Sequence, residues 1–505
     1  MILDRGLLAL TASIGFAAAA PAQGPVFKAG FAERDITPMV GCEVPGGYGK
    51  AYSRGVHDPC KVRAAVFDDG TNRAALVGVD ALGIHRRTVL AARKAISEKT
   101  GIPGDAVLIG ASHSHSSGPL VWVMPGEYDN DSELVRNLAY RHSTCADPAY
   151  LRRVEQAIVD TVSEANERRV EAKAGVGKGI EDKVVFSRRF RMRDGRTVTH
   201  PGQGNPDIVE PAGPTDPEVG VVGAWDASGK LLGCVVNFAC HATTSPGGIS
   251  ANYIYYLEKT VQGYYGKDAV VVFLAGASGD ITQVDNRSPT KNPAGDRWAQ
   301  LVGGRVGAEA VKVLLSSEPG PLTPVAAKSK VWPIRRRVPD PERVRQALAI
   351  VQHDPPAKGD RTEWTFAKET VLLDAKLKRE PAAEVEVQAV QVGPAVFLTT
   401  PAEYFCAFGL EQKAKSGFPF TFPVSLANGC VGYVPTEEAF GPSGGGYETR
   451  LTSYSNLEVT AGRQMCDAGL ALAKQLRAGV VPTPPKALPF AGQAWTYGNV
   501  GPQIR

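Results

Sequence analysis

Short apolar runs alternate with amphipathic helical stretches along most of this chain, and no other feature of the sequence restricts its fold as strongly. Runs at 62–67, 74–79 and 106–110 carry strand patterning, while 88–100 and 150–168 repeat apolar residues at helical spacing. Strands are expected again at 219–225, 231–239, 269–275 and 385–398, and helices at 298–315, 342–352 and 456–475. A chain that switches between a period of two and a period of 3.6 in this way builds α/β layers, with helices packed on a sheet. No internal repeat interrupts the pattern. Two stretches stand outside it: 191–217, rich in Gly, Pro and Asp, and the glycine-rich 440–447. Both are expected to be long ordered loops, which in compact domains often carry function.

The amino terminus has a three-part plan: residues 1–5 with Arg5, an apolar run over 6–20, and the small-residue site Ala20-Pro21-Ala22. That plan predicts a signal peptide over 1–22 and a periplasmic or secreted protein. The run is shorter than the roughly 20 apolar residues a bilayer span needs, and nothing comparable follows, so no stable membrane insertion is expected. A membrane-tethered form is the alternative, without a lipobox cysteine. Net charge is +4 over 505 residues, with 43% hydrophobic and 21% charged, which is globular and leaves no basic stripe for nucleic acid. We expect one catalytic domain over 23–480, then a proline-rich exit and a surface tail over 481–505. In an oxidising compartment the eight cysteines make disulfides an expectation, with Cys42/Cys60 and Cys406/Cys430 the closable pairs. For Cys234 and Cys240, inside apolar runs, a buried free thiol is the competing reading.

The strongest chemical signal is Ala111-Ser112-His113-Ser114-His115-Ser116-Ser117-Gly118-Pro119, directly after an apolar strand. Residues two apart on a strand face one side, so both imidazoles can line one pocket and serve a metal. The competing reading is a polar turn whose His and Ser side chains only cap backbone groups. A second strand end carries His241 in Phe238-Ala239-Cys240-His241, where a lone histidine is ordinarily structural. A third runs into Ala275-Gly276-Ala277-Ser278-Gly279-Asp280-Ile281-Thr282, a turn whose glycines let backbone approach a ligand. Open α/β folds gather their sites at the carboxyl ends of strands, so three such ends favour a shared pocket.

These residues form an ordered series. It starts at Ala29-Gly30-Phe31-Ala32-Glu33-Arg34-Asp35-Ile36-Thr37-Pro38 and passes through the HxHS(x)GP element, Phe238 to His241 and Gly279-Asp280. It continues through Pro401-Ala402-Glu403 and Gly432-Tyr433-Val434-Pro435-Thr436 to Tyr447-Glu448. Over about 27–480 the chain resembles the neutral ceramidase-like hydrolases. The resemblance implies an α/β, layered mixed-sheet catalytic domain of the neutral ceramidase type, without that family's carboxy-terminal sandwich domain.

It further implies one Zn²⁺ per chain, held by His113, His241, Glu403 and Tyr433. His115 would line the substrate pocket, Tyr447 would contact the developing oxyanion, and Arg188 would stand on the substrate side, with Arg189 the alternative. An Arg188 that is simply part of the basic cluster Arg188, Arg189, Arg191 and Arg193 is the structural reading. The implied activity is hydrolysis of an N-acyl bond by zinc-activated water, on a small-molecule or lipid-like substrate. Two alternatives stay open: a zinc hydrolase of the same fold acting on a glycoside or ester, and a non-catalytic binding protein. The main departure is Thr282, where the established ceramidases have a serine proposed as nucleophile; Ser117 is also an extra residue in the HxH element. With no GxSxG elbow in the sequence, attack by water is favoured, with the Thr282 hydroxyl turned toward the site.

Overall fold

The computed structural model of the protein describes residues 26–356, 360–492, 497 and 500–505. The expected signal peptide, 1–22, lies outside the described residues. An eight-stranded mixed sheet organises the chain, in the spatial order Val270–Ala275, Leu231–Phe238, Glu218–Asp226, Val170–Ile180, Lys28–Asp35, Lys61–Asp68, Arg73–Val79 and Val107–Ala111. Neighbours run antiparallel except for the outermost pair at each end. Those two parallel pairs need long crossovers, and each has a helix in its connection, Tyr253–Tyr265 at one end and Arg86–Thr100 at the other. The edge strands Val107–Ala111 and Val270–Ala275 are buried throughout, as parallel strands covered on both faces should be.

The two ends of this sheet lie against each other. A methyl group on Gly78 would stand 2.5 Å from the Phe273 carbonyl oxygen, so a glycine is needed for so close an approach. The carboxyl ends of Val107–Ala111, Leu231–Phe238 and Val270–Ala275 therefore open on one region, and the candidate residues follow each of them. A second, four-stranded sheet runs in the order Val325–Arg335, Ala382–Val392, Ala395–Thr399, Phe420–Val424. The chain leaving Phe420–Val424 stitches it to the first: Ser425 N–H donates to the Ala275 carbonyl, Ala111 N–H to that of Leu426, and Asn428 N–H to that of Ile109.

The strand and helix expectations are met within a few residues, with one exception. The run 385–398 is not one strand but a hairpin, Ala382–Val392 and Ala395–Thr399, because Gly393 turns the chain at φ 59°. The stretch 191–217 is also more ordered than a loop. Arg189–Met192, Thr197–Thr199 and Ile208–Pro211 pair into a small sheet. All eight cysteines are free thiols, so neither Cys42/Cys60 nor Cys406/Cys430 is a disulfide. Cys42 Sγ faces the Ser53 hydroxyl at 3.6 Å and Cys430 Sγ the Tyr454 hydroxyl at 3.4 Å. Among the described residues no helix is long and apolar enough to cross a membrane. The described residues beyond 480 form no helix or strand.

Candidate metal centre

His113 sits two residues past its strand at φ 62°, the left-handed region that a residue with a side chain rarely occupies. Such a conformation is kept only where the surroundings dictate it, most often at a functional site. Its Nδ1 donates to the Leu82 carbonyl at 2.8 Å. His241, past the neighbouring end of the sheet, donates Nδ1–H to the Ser278 carbonyl at 2.8 Å, and His115 donates to the Gly46 carbonyl at 3.1 Å. A carbonyl can only accept, so each of these rings carries its proton on Nδ1. In the neutral ring each Nε2 is then an acceptor, and that of His241 accepts from Arg188 Nη1 at 3.1 Å.

Those lone pairs converge. His113 Nε2 is 3.3 Å from His115 Nε2, and the three histidines present nitrogens within 4.8 Å of one another. Glu403 Oε2 stands 3.1 Å from Nε2 of both His113 and His241. Its other oxygen, Oε1, accepts the Tyr454 hydroxyl at 2.9 Å. Acceptors facing acceptors in a buried site repel unless a cation lies between them; Arg188 meets the His241 nitrogen from one side, and the space between His113, His241 and Glu403 Oε2 suits another cation. Ligands about 2.0–2.2 Å from one tetrahedral ion stand roughly 3.3–3.6 Å apart, close to the spacings here. The residues fit a metal ion, and the histidine Nδ1 contacts are the outer-shell partners that metal-binding imidazoles regularly have.

The electrostatics agree. Burial, with the Arg188 charge beside it, lowers the His241 pKa to about 3. Burial and the two neighbouring histidines take His115 well below its usual value. Burial works against the charge on Glu403, while a charged imidazole at His113 or His241 holds the carboxyl well below the ordinary range. At neutral pH His115 and His241 are thus neutral imidazoles and Glu403 a carboxylate, the forms that bind metal.

Arg188 borders the cluster as a buried group with every arm engaged. Nε donates to Glu448 Oε1 at 2.7 Å, Nη2 to the Gly279 carbonyl at 2.7 Å, and Nη1 points at His241 Nε2 at 3.1 Å. It is no solvated member of a basic surface run. Arg189, the alternative, reaches instead to the Gly445 carbonyl and the far side of Glu448. Tyr433 is brought to Glu403 by backbone pairing, residue against residue, in the short parallel ladder Glu403–Tyr404 with Tyr433–Val434. The Arg188 guanidinium lies 5.1 Å from the Tyr433 ring centre, and the Tyr447 ring packs on Tyr433 at 5.2 Å. Burial and the nearby Glu403 push the Tyr447 phenol up to about 12, so it keeps its proton and can donate.

The glycine-rich turn borders the site, but through its backbone. The Ser278 carbonyl holds His241 and the Gly279 carbonyl holds Arg188. The Thr282 hydroxyl accepts the Val284 N–H at 3.2 Å within its own turn. Three further residues belong to the site and were not singled out from sequence. Glu448 is fully buried between Arg188 and Arg189, Tyr454 steadies Glu403, and Tyr48 packs on Tyr447 at 6.2 Å. The only sequence signals for them are the Tyr447-Glu448 adjacency and a tyrosine amid the glycines at 46–49.

The curled mixed sheet and the second sheet joined to it match the fold of the neutral ceramidases. Two solved structures carry the likeness. Neutral ceramidase from Pseudomonas aeruginosa superposes with a TM-score of 0.64 at 19% identity, over 91% of this chain and 77% of that one. A ceramidase complexed with C2 gives 0.65 at 18% identity, over 91% and 77%. At such identities the likeness is one of fold. No protein-family model and no curated protein matches the sequence.

Proposed function

We propose that the chain is an exported zinc-dependent hydrolase that cleaves an N-acyl bond. The observation carrying this reading is the convergence of His113 and His241 Nε2 on Glu403 Oε2, each ring fixed by an Nδ1–H bond to a carbonyl, with His115 Nε2 beside that of His113. His113, His241 and Glu403 would hold the ion, with Tyr433 completing the set and His115 beside it. When bound, zinc supplies Lewis acidity at neutral pH to the reacting carbonyl and water. Arg188 and the protonated Tyr447 stand ready to stabilise negative charge as the carbonyl oxygen develops it, the stage at which preorganised donors contribute most. His115, whose Nε2 is an acceptor, would position the substrate or pass a proton from the attacking water to the leaving nitrogen. The carbonyls of Ser278 and Gly279 and the carboxylate of Glu448 hold His241 and Arg188 in place meanwhile. Thr282, engaged in its own turn, is left out of bond making.

A second reading, the same chemistry on a polar substrate such as a glycoside or ester, is favoured by one feature. Beside Tyr454 lies a cavity of about 330 Å³ whose walls include His85, Arg86, Glu127, Glu369 and Lys376. Charged walls of both signs suit a hydrogen-bonding substrate portion better than an acyl chain. The deciding experiment measures zinc content and then turnover of N-acylsphingosines, N-acyl amino acids and aryl glycosides, before and after chelation. Reversible loss of one activity on chelation is expected. Full activity in protein stripped of zinc would sink both readings.

A further inference from the structure

Five consecutive backbone carbonyls, Pro45 to Gly49, accept hydrogen bonds from side chains elsewhere in the chain. Trp122 Nε1 donates to the Pro45 carbonyl at 2.8 Å, and His115 Nδ1 to that of Gly46 at 3.1 Å. The Thr144 hydroxyl shares its one proton between the Gly47 and Gly49 carbonyls, at 3.1 and 2.9 Å. Lys368 Nζ donates to the Tyr48 carbonyl at 2.8 Å. The segment belongs to no helix or strand, and Gly46, Gly47 and Gly49 are exposed. Carbonyls of an exposed loop ordinarily go to water. Here side chains take all five.

Two of these donors are buried at some cost. Thr144 is wholly inside, and Lys368, 1% exposed, satisfies its remaining two protons on Ser143 Oγ at 2.6 Å and Glu369 Oε1 at 2.8 Å. A buried ammonium is unfavourable unless every donor is paired, and one of its three partners is this loop. What the loop delivers is specific. Gly46 fixes the proton of His115 on Nδ1, and the Tyr48 ring wedges between Trp122 at 5.0 Å, Phe366 at 5.7 Å and Tyr447 at 6.2 Å. The same short segment thus supports the exposed edge of the histidine cluster and the back of the Tyr447 phenol.

We propose that Thr144 and Lys368 are positioning residues for the metal centre, holding 45–49 where the Gly46 carbonyl orients His115 and Tyr48 backs Tyr447. The inference rests on the zinc reading above, in which His115 stands beside the ion.

The test uses the purified full-length chain and two readouts that need no substrate: zinc dissociation constants from competition with a chelating dye, and amide hydrogen exchange over 46–50. Thr144→Val keeps the shape and removes the hydroxyl. It should weaken zinc about 10-fold, the lower range for loss of an outer-shell contact, and speed exchange in the loop. Thr144→Ser, which restores the hydroxyl, should return both to wild type, a rescue that mere packing would not give. Lys368→Met combined with Glu369→Gln removes the neighbouring tether without leaving a lone charge and should reproduce the effect, so the inference stays testable if Thr144→Val does not fold. A folded Thr144→Val with wild-type zinc affinity overturns it. Wild type that binds no zinc overturns the zinc reading itself and this inference with it, an outcome distinct from equal binding by wild type and variant.

Discussion

The Tyr454 hydroxyl donates to Glu403 Oε1 at 2.9 Å, which leaves Oε2 as the oxygen that faces His113 and His241. The carboxylate is therefore aimed before any ion arrives. Tyr454→Phe removes the aim and keeps the ring, including its stack on Trp122 at 4.5 Å. Zinc should bind roughly 10–100-fold more weakly, the usual effect of losing an outer-shell partner. Isothermal titration would measure it, and unchanged affinity would remove Tyr454 from the centre.

Tyr447 lies against both Tyr433 and Arg188 and holds its proton at neutral pH. Tyr447→Phe should lower kcat by roughly 10²–10³ with little change in KM, the pattern of a donor that acts on the transition state. Zinc content should stay at the wild-type level. A variant that loses zinc along with turnover would show a role in holding the ion instead.

Thr282 satisfies the half-buried Val284 N–H. Thr282→Val leaves that group unpaired and should cost about 1–3 kcal/mol of stability by urea titration, while kcat stays within a few-fold of wild type. Thr282→Ser should match wild type in both. Mass spectrometry of protein quenched during turnover should find no adduct on Thr282; a covalent acyl group there would overturn attack by water.

Metal-free protein should lose stability as pH falls from 7 toward 4. Folded His241 titrates near 3 and His200 near 4, each lowered chiefly by burial, whereas an unfolded histidine takes its proton near 6.5. Between those values the unfolded chain binds protons that the native state refuses, so acid favours unfolding. Glu403, held far below the usual carboxyl range, acts in the same direction further down. Asp280, raised to about 6 by burial, opposes them across pH 4 to 6. The urea midpoint should fall on balance, and His241→Gln should flatten the fall. A midpoint that rises on acidification would show the carboxyls dominating.

Much of the fold was legible because its central strands are buried end to end: Val107–Ala111 and Val270–Ala275 read as apolar runs with polar breaks. The helix Thr362–Leu377 was not, because 367–373 are buried in succession and leave no apolar stripe to detect. The strand Val325–Arg335 is half exposed and carries two lysines, so it does not read as a strand either. In the centre, the histidines announced themselves by following apolar runs, whereas Glu403 and Tyr433 came only through family resemblance. Glu448 entered that resemblance only as the neighbour of Tyr447, and Tyr454 had no such signal. Their importance lies in contacts with Arg188 and Glu403, 260 and 51 residues away in sequence. The direction of the Thr282 hydroxyl is a matter of one turn's geometry, which residue types do not specify.

The order in which the centre's parts occur along the chain has a consequence for biosynthesis. His113 and His241 leave the ribosome well before Glu403, the carboxylate that joins them, and before Glu448, which fixes Arg188. Contacts so distant in sequence form late, after large loops have closed. A nascent chain therefore passes most of its synthesis with two imidazoles and no carboxylate between them, and any product ending short of Glu448 should take up metal weakly and turn nothing over. On the proposed reading, competence arrives only once Glu448 has been made.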